Sequence, residues 1–258
     1  MVRWIDIGFN LFTSAYPDPQ KTFEEARAAG VECILTGSDP AENEHVADFV
    51  TAMEAYGTAG IHPHRADEAR AADFCRIEAL AREHPRIVAV GECGLDYDRM
   101  FSTRENQLRC LQQHIEIAER VGKPMFLHER SAAEDFLRVF QAHPALCARS
   151  VVHCFTEGPQ VLEQLLAMGF MIGITGWICD DRRAGPLREA VRGLPLDRVM
   201  LETDAPYLTP RNVRGLGRIN VPQNIRYVAQ TLAAEMGVAQ ETLEAAVLEN
   251  TKRFFRLP

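Results

Sequence analysis

Eight short apolar runs recur along the chain, and most are followed by a stretch whose apolar residues recur every three or four positions. That alternation constrains the fold more than any other feature, because parallel strands need a crossover of a dozen or more residues, usually a helix. The strand candidates are RWIDIG (Arg3 to Gly8), VECILTG (Val31 to Gly37), YGTAGIHPH (Tyr56 to His64) and Ile87 to Val90. PMFLHER (Pro124 to Arg130), SVVHCF (Ser150 to Phe155), FMIGITG (Phe170 to Gly176) and RVMLETDAP (Arg198 to Pro206) complete the set. The spacing predicts helices over about 22–30, 40–55, 67–83, 103–121, 132–142, 159–168 and 186–192, with two more in the tail, 222–236 and 240–255. Gly30, Gly122 and Gly169 read as helix stops, and Ser102 or Thr103 as an N-cap.

Eight strands alternating with helices suit either an open doubly wound sheet or a closed α/β barrel. The length of 258 residues and the near-continuous apolar character of the strands favour a single-domain TIM (β/α)8 barrel over the whole chain. No linker, low-complexity tract or fixed-period repeat interrupts it. No apolar run approaches the roughly 18 to 20 residues a membrane helix needs. The start, MVRWIDIGFN, lacks a signal-peptide core, so a cytoplasmic protein is expected. The seven cysteines are odd in number and no two lie within four positions, which argues against a disulfide framework or a cysteine-based zinc site. A net charge of −8 disfavours broad duplex binding through many phosphate contacts, without excluding a nucleic-acid substrate held locally by a metal and a few arginines.

In VAVGECGLD the apolar strand runs into Gly91 and then Glu92, a carboxylate where packing alone would not put one. The same design recurs. Asp6, His62 with His64, Glu92, His128, His153 and Asp204 stand at or just past the carboxyl ends of six strands. In a barrel those ends share one face, where active sites lie, and imidazoles with carboxylates are ligands of divalent metals. Singly, each has an ordinary reading. A lone His128 or His153 is more often a hydrogen-bonded core residue, Glu92 an ion-pair partner, and Asp204 a turn cap before Pro206. Asp6 reads equally well as a strand-end acceptor, and the histidines of HPH as part of a turn. The coincidence of all of them favours a metal site.

In order, the runs DIGFNL, GIHPH, GECGLDYD, LHER, HCF and LETDAPYL resemble the TatD family of metal-dependent deoxyribonucleases, within the amidohydrolase-like TIM barrels. The resemblance implies a metal-dependent hydrolase of phosphodiesters, a 3′-to-5′ exonuclease on single-stranded DNA or RNA. The family's metal glutamate falls on Glu92, its two later histidines on His128 and His153, its aspartate on Asp204, and its GxHP histidine on His62. Gly8 and Asn10 stand where many members carry a His-x-His pair, as in the subgroup that lacks it, and Val221 stands where relatives often carry a glutamate.

The expected arrangement is one main ion on Glu92, His128 and His153, with Asp204 as base or further ligand and Glu92 shared with any second ion. That second ion would be held weakly through Asp6 and Asp204. Mg²⁺ is favoured, with Mn²⁺ or Zn²⁺ as alternatives. His62, His64 and Arg130 are expected on the substrate side, Arg130 as a phosphate clamp or else a surface ion pair. Arg211, Arg214 and Arg218 could grip a strand, and Trp177 or Phe155 could stack on a base, although solvated and core roles are the commoner ones. Cys93 and Cys154 read as packing residues. A monomer is expected. The rival readings are a metal-dependent hydrolase of a small ester, amide or aminoacyl-tRNA, and a non-catalytic relative of the fold.

Overall fold

Strand pairing begins where the apolar runs begin. The computed structural model describes residues 2–258, leaving Met1 of the expected domain outside it. The strands are β1 (Trp4–Phe9), β2 (Val31–Leu35), β3 (Tyr56–Ala59), β4 (Ile87–Asp96), β5 (Met125–Arg130), β6 (Ser150–His153), β7 (Met171–Ile174) and β8 (Val199–Leu201). The helices are α1 (Pro19–Ala28), α2 (Pro40–Ala52), α3 (Ala71–Glu83), α4 (Arg104–Val121), α5 (Ala133–Gln141), α6 (Pro144–Cys147), α7 (Pro159–Met168), α8 (Gly185–Val191), α9 (Ile225–Met236) and α10 (Gln240–Phe255). All eight strands belong to one sheet in the order β1 to β8, the strand order of a (β/α)8 barrel. Among the described residues no helix is long and apolar enough to cross a membrane.

By internal packing the described residues fall into two compact units, one of 2–34, Cys154–Leu166 and Met171–Pro258, the other of Leu35–His153 and Ala167–Phe170. In the first, β7 and β8 pair in parallel with Ile174 opposite Leu201. Its first and last strands also adjoin: Phe9 bridges Ala205 in parallel, and the amides of Asp204 and Asn10 donate to Gly8 and Ala205. Helix α10 packs on β8 and β1, and Asn250 donates to the carbonyls of Leu196 and Val199. In the second unit β3, β4, β5 and β6 form a parallel ladder with α4 packed on β4. Phe136, Phe140 and Phe170 form an aromatic cluster with centroids 4.8–5.8 Å apart.

Helix ends follow local chemistry. The Thr103 side chain caps α4, and Gly122 ends it in the left-handed conformation at φ 70°. Asp18 and Asp39 cap α1 and α2 just before a proline at the first helical turn.

Three expected boundaries moved. Strand β3 stops at Ala59, and of the HPH histidines His62 caps a 3₁₀ turn over Pro63–Arg65 and His64 lies in it, instead of at a strand end. Strand β8 is only three residues long, so Asp204 lies on the loop after it. Strand β4 does not end at Val90; it runs ten residues, to Asp96.

That last difference decides the site. The register shifts between Val90, opposite Met125, and Cys93, opposite Leu127, so β4 carries an extra residue where Glu92 sits. A bulge of this kind bends a strand and re-aims a side chain. Gly94 makes the passage sterically possible: at φ 150° a Cβ there would lie 1.9 Å from the carbonyl oxygen of His128. Gly94→Ala is therefore expected to destabilise the fold by about 3 kcal/mol or more, read as a lowered urea midpoint. An unchanged midpoint would contradict the close approach.

Candidate metal centre

In the second unit, β4, β5, β6 and the turn after β3 bring five of the expected residues together. His128 and His153 are partners in the β5–β6 register, so their side chains share a face. Glu92 Oε1 lies 2.8 Å from His153 Nε2, 3.1 Å from His128 Nδ1 and 3.2 Å from His62 Nε2. His62, Glu92 and His128 offer ligand-type atoms within 4.8 Å of one another. His64 stands edge-on to His62, with ring centroids 4.2 Å apart.

The sequence put His62 on the substrate side; here it belongs to the same donor set as Glu92. His64 stands one layer back, its Nε2 2.7 Å from Asp96 Oδ2. Asp96 had not been singled out, although it sits four residues after Glu92 in the same strand, at the i+4 spacing that returns to a face. It is buried, and its Oδ1 accepts from the amides of Asp98 and Arg99. Its Oδ2 lies 3.4 Å from His128 Nε2. That pair is close but poorly aligned, which leaves His128 Nε2 a buried nitrogen with no hydrogen bond. The arrangement is that of a carboxylate behind a histidine whose other nitrogen, Nδ1, faces the ligand side.

Charge states follow from these neighbours. Burial would raise the pKa of Glu92, but His62, His153 and His128 outweigh it and hold the carboxyl well below its ordinary range. Burial pushes His62 down to about 4, against the pull of Glu92, so its ring is neutral. Burial opposes protonation of His128, yet Asp96 and Glu92 together raise it above the usual imidazole value. Asp96 is lowered despite its burial, by His128, His64 and the Arg99 amide. An ionised carboxylate and a neutral imidazole are the states a metal requires of its ligands. Three imidazole nitrogens converging on one carboxylate oxygen, with a buried carboxylate behind one ring, make a donor set that fits a divalent cation.

Asp96→Asn keeps the shape and the Oδ1 acceptor but removes the charge behind His128 and His64. The expected result is a loss of roughly 10- to 100-fold in metal affinity, measured by calorimetric titration. Wild-type affinity in the variant would show that Asp96 only shapes the turn.

The first unit holds the other expected residues. Asp6 is fully buried; Oδ1 accepts from the amides of Thr203, at 2.9 Å, and Gly8, at 3.2 Å, and Oδ2 accepts from the Thr203 hydroxyl. Burial pushes its pKa up to about 8, against those hydrogen bonds. Asp204 has a left-handed backbone at φ 53°, and Asn10 donates to its Oδ1 at 2.9 Å. Asn10, noted in the sequence only as a departure from a histidine, thus holds an acid. Asn220 braces the same segment by donating to the Thr203 carbonyl at 3.1 Å.

Arg130 Nε pairs with Asp98 Oδ2 at 3.1 Å, the ion-pair alternative to a phosphate clamp. Phe155 is 1% exposed and Cys93 is fully buried, so both are core. Trp177 is half-buried under the Arg183 guanidinium, 3.9 Å from the ring centroid.

Comparison with known proteins places the chain in a family. The family model described as TatD related DNase matches residues 5–256. A 3′-5′ ssDNA/RNA exonuclease TatD from Erwinia billingiae is 39% identical over 98% of this chain and 99% of its own length. The protein of the same description from Pantoea vagans is also 39% identical, over 98% and 99%. A crystal structure of a TatD homologue from Escherichia coli, 28% identical, superposes with a TM-score of 0.89 over 99% of both chains. With residues of all eight strands inside the family match, the chain belongs to the TatD-related DNase family.

Proposed function

We propose that this protein is a metal-dependent 3′-to-5′ exonuclease acting on single-stranded DNA or RNA. The substrate and polarity come from relatives named 3′-5′ ssDNA/RNA exonuclease. The observation that supports it within the molecule is the convergence of His62, His128 and His153 on Glu92 Oε1.

In this reading Glu92, His128 and His153 hold the ion, with His62 beside them and Asp96 orienting His128 and His64. When bound, such an ion supplies charge neutralisation at the phosphate and activates water at neutral pH. Asp204 orients the attacking water and takes its proton, its Oδ1 held by Asn10. Asp6 serves as the clamp that sets Thr203, one residue before Asp204, and not as the ligand its strand position suggested, because its oxygens already accept from Thr203 and Gly8. The proposal therefore uses one ion. Mg²⁺ is taken as that ion, while a set of one carboxylate and several imidazoles suits Mn²⁺ or Zn²⁺ at least as well. The protein is taken as a cytoplasmic monomer; no disulfide joins its seven cysteines, which fits a reducing compartment.

The test is an oligonucleotide labelled in turn at each end and incubated with Mg²⁺, Mn²⁺ or Zn²⁺. Stepwise shortening from the 3′ end, abolished by EDTA, is expected. Intact 3′ ends with every metal, alongside hydrolysis of carboxyl esters or aminoacyl-tRNA, would replace this reading with the small-substrate alternative.

A further inference from the structure

A second feature of the first unit has no part in the chemistry above. The loops that leave the carboxyl ends of β7 and β8 enclose a cleft of about 600 Å³. Its lining includes Asp180, Arg183, Tyr207, Arg211 and Arg218. That volume suits one nucleotide, since small-ligand sites run from roughly 300 to 1,000 Å³. In a barrel the carboxyl ends of the strands carry the active face, which puts these loops on the substrate side.

The charge of the cleft is opposite to that of the protein. The chain carries −8 overall, yet Asp180 is the one acid among the described residues lining the cleft. Asp180 is buried, with its side chain 3% exposed. Arg182, Arg183 and Arg211 approach its carboxylate at 2.7, 3.1 and 3.5 Å. One carboxylate cannot neutralise three guanidiniums, and Arg182, with Arg183, holds it below the usual carboxylate range, so it stays a fixed anchor. The arginines it organises keep their outer faces in water: their side chains are 64%, 43% and 61% exposed. Arg218 adds a further guanidinium from the opposite stretch of the loop.

Two aromatic rings flank the cations. Trp177 lies under Arg183, which pre-sets the plane of that guanidinium. Tyr207 is 57% exposed at the lining, a large apolar ring presented to solvent. Forked cations beside an exposed aromatic face are what a single-stranded nucleic acid needs: phosphates pair with the arginines, and a base stacks on the ring.

We infer that this cleft is a subsite for one nucleotide of a single strand, with Arg211 and Arg218 on its phosphates and Tyr207 on its base. The inference rests on the exonuclease reading for the identity of the ligand. Its test does not require hydrolysis. Fluorescence anisotropy of a labelled, phosphorothioate-linked octathymidylate, which keeps the charge but resists cleavage, is measured against the Mg²⁺-loaded protein over a salt series.

The double variant Arg211→Glu, Arg218→Glu is expected to raise Kd about tenfold or more. Its salt slope should be shallower by about 1.4, from two phosphate contacts at about 0.7 each on a single strand. Tyr207→Ala is expected to weaken binding about fivefold or more with the slope unchanged. All three residues are exposed, and a melting curve in the range of the wild type shows that the variants fold. Arg211→Lys with Arg218→Lys should restore most of the slope.

Variants that bind with the wild-type Kd and slope overturn the subsite, as does wild-type protein that fails to bind the oligonucleotide. If wild type degrades ordinary DNA while the arginine variants bind normally, the exonuclease stands and the subsite falls. If wild type binds with an arginine-dependent slope but leaves 3′ ends intact, the subsite stands and the exonuclease reading falls.

Discussion

Glu92→Gln is expected to slow 3′-end removal by about 10³-fold or more, a loss of roughly 4 kcal/mol of transition-state stabilisation. Glu92 Oε1 is the atom on which His62, His128 and His153 converge, so the substitution removes the one anionic donor at the centre of the set. Glutamine keeps the volume and one carbonyl acceptor for the surrounding imidazoles. The fold should therefore survive, and a melting curve checks this. Three neutral donors without the carboxylate hold a divalent ion poorly, so metal content measured on the purified variant should fall together with activity. A Glu92→Gln enzyme within tenfold of wild type would remove this cluster from the mechanism.

Asp204→Asn is expected to cost about 10²- to 10⁴-fold in kcat, the usual span for loss of a positioned general base. The substitution is isosteric, and Asn10 still finds an oxygen at the same place. The left-handed backbone at φ 53° is one that asparagine adopts as readily as aspartate. Structure and substrate contacts should thus persist while the proton acceptor is lost. Metal content separates the two roles open to this side chain. Retained metal with lost turnover identifies a base, and metal lost in proportion to activity identifies a ligand. Turnover within about threefold of wild type would contradict both.

The strands were legible because they are apolar and evenly spaced, and helices α7 and α10 fell on the residues their periodicity predicts. Helix α4 was legible at both ends, since Thr103 and Gly122 act through local capping chemistry. The parts that were not legible depend on distant partners. Nothing near Gly91 announces that β4 continues through a bulge, because that follows from its register with β5. Reading the strand as ended at Val90 is also what hid Asp96, whose place behind His128 appears only when the strand runs on. Asp6 has the right type and position for a ligand, and its hydrogen-bond partner Thr203, 197 residues away in sequence, was not foreseeable. Asp98, on the turn after β4, supplies Arg130 with an ion-pair partner that only the extended strand brings within reach. His62 illustrates the reverse. A short 3₁₀ turn after β3, not a strand end, brings its Nε2 to Glu92.

The site is also compact in charge. The neutral ring of His62 and the ionised Glu92 sit 3.2 Å apart, and Asp96 lies behind His128. A buried carboxylate surrounded by imidazoles gains its stability from those partners, and burial without them would favour its neutral form. Glu92 and His62 are thus in the protonation states an ion needs, whereas His128, raised by Asp96 and Glu92, gives up a proton when an ion binds.

The central claim is that a divalent ion sits among Glu92, His128 and His153. Anomalous diffraction from crystals soaked in Mn²⁺ tests it most directly. The account predicts a strong anomalous peak bounded by Glu92, His128 Nδ1 and His153 Nε2, and its disappearance in Glu92→Gln. A saturating soak that leaves that position without a peak, or a peak there that persists in Glu92→Gln, would contradict it.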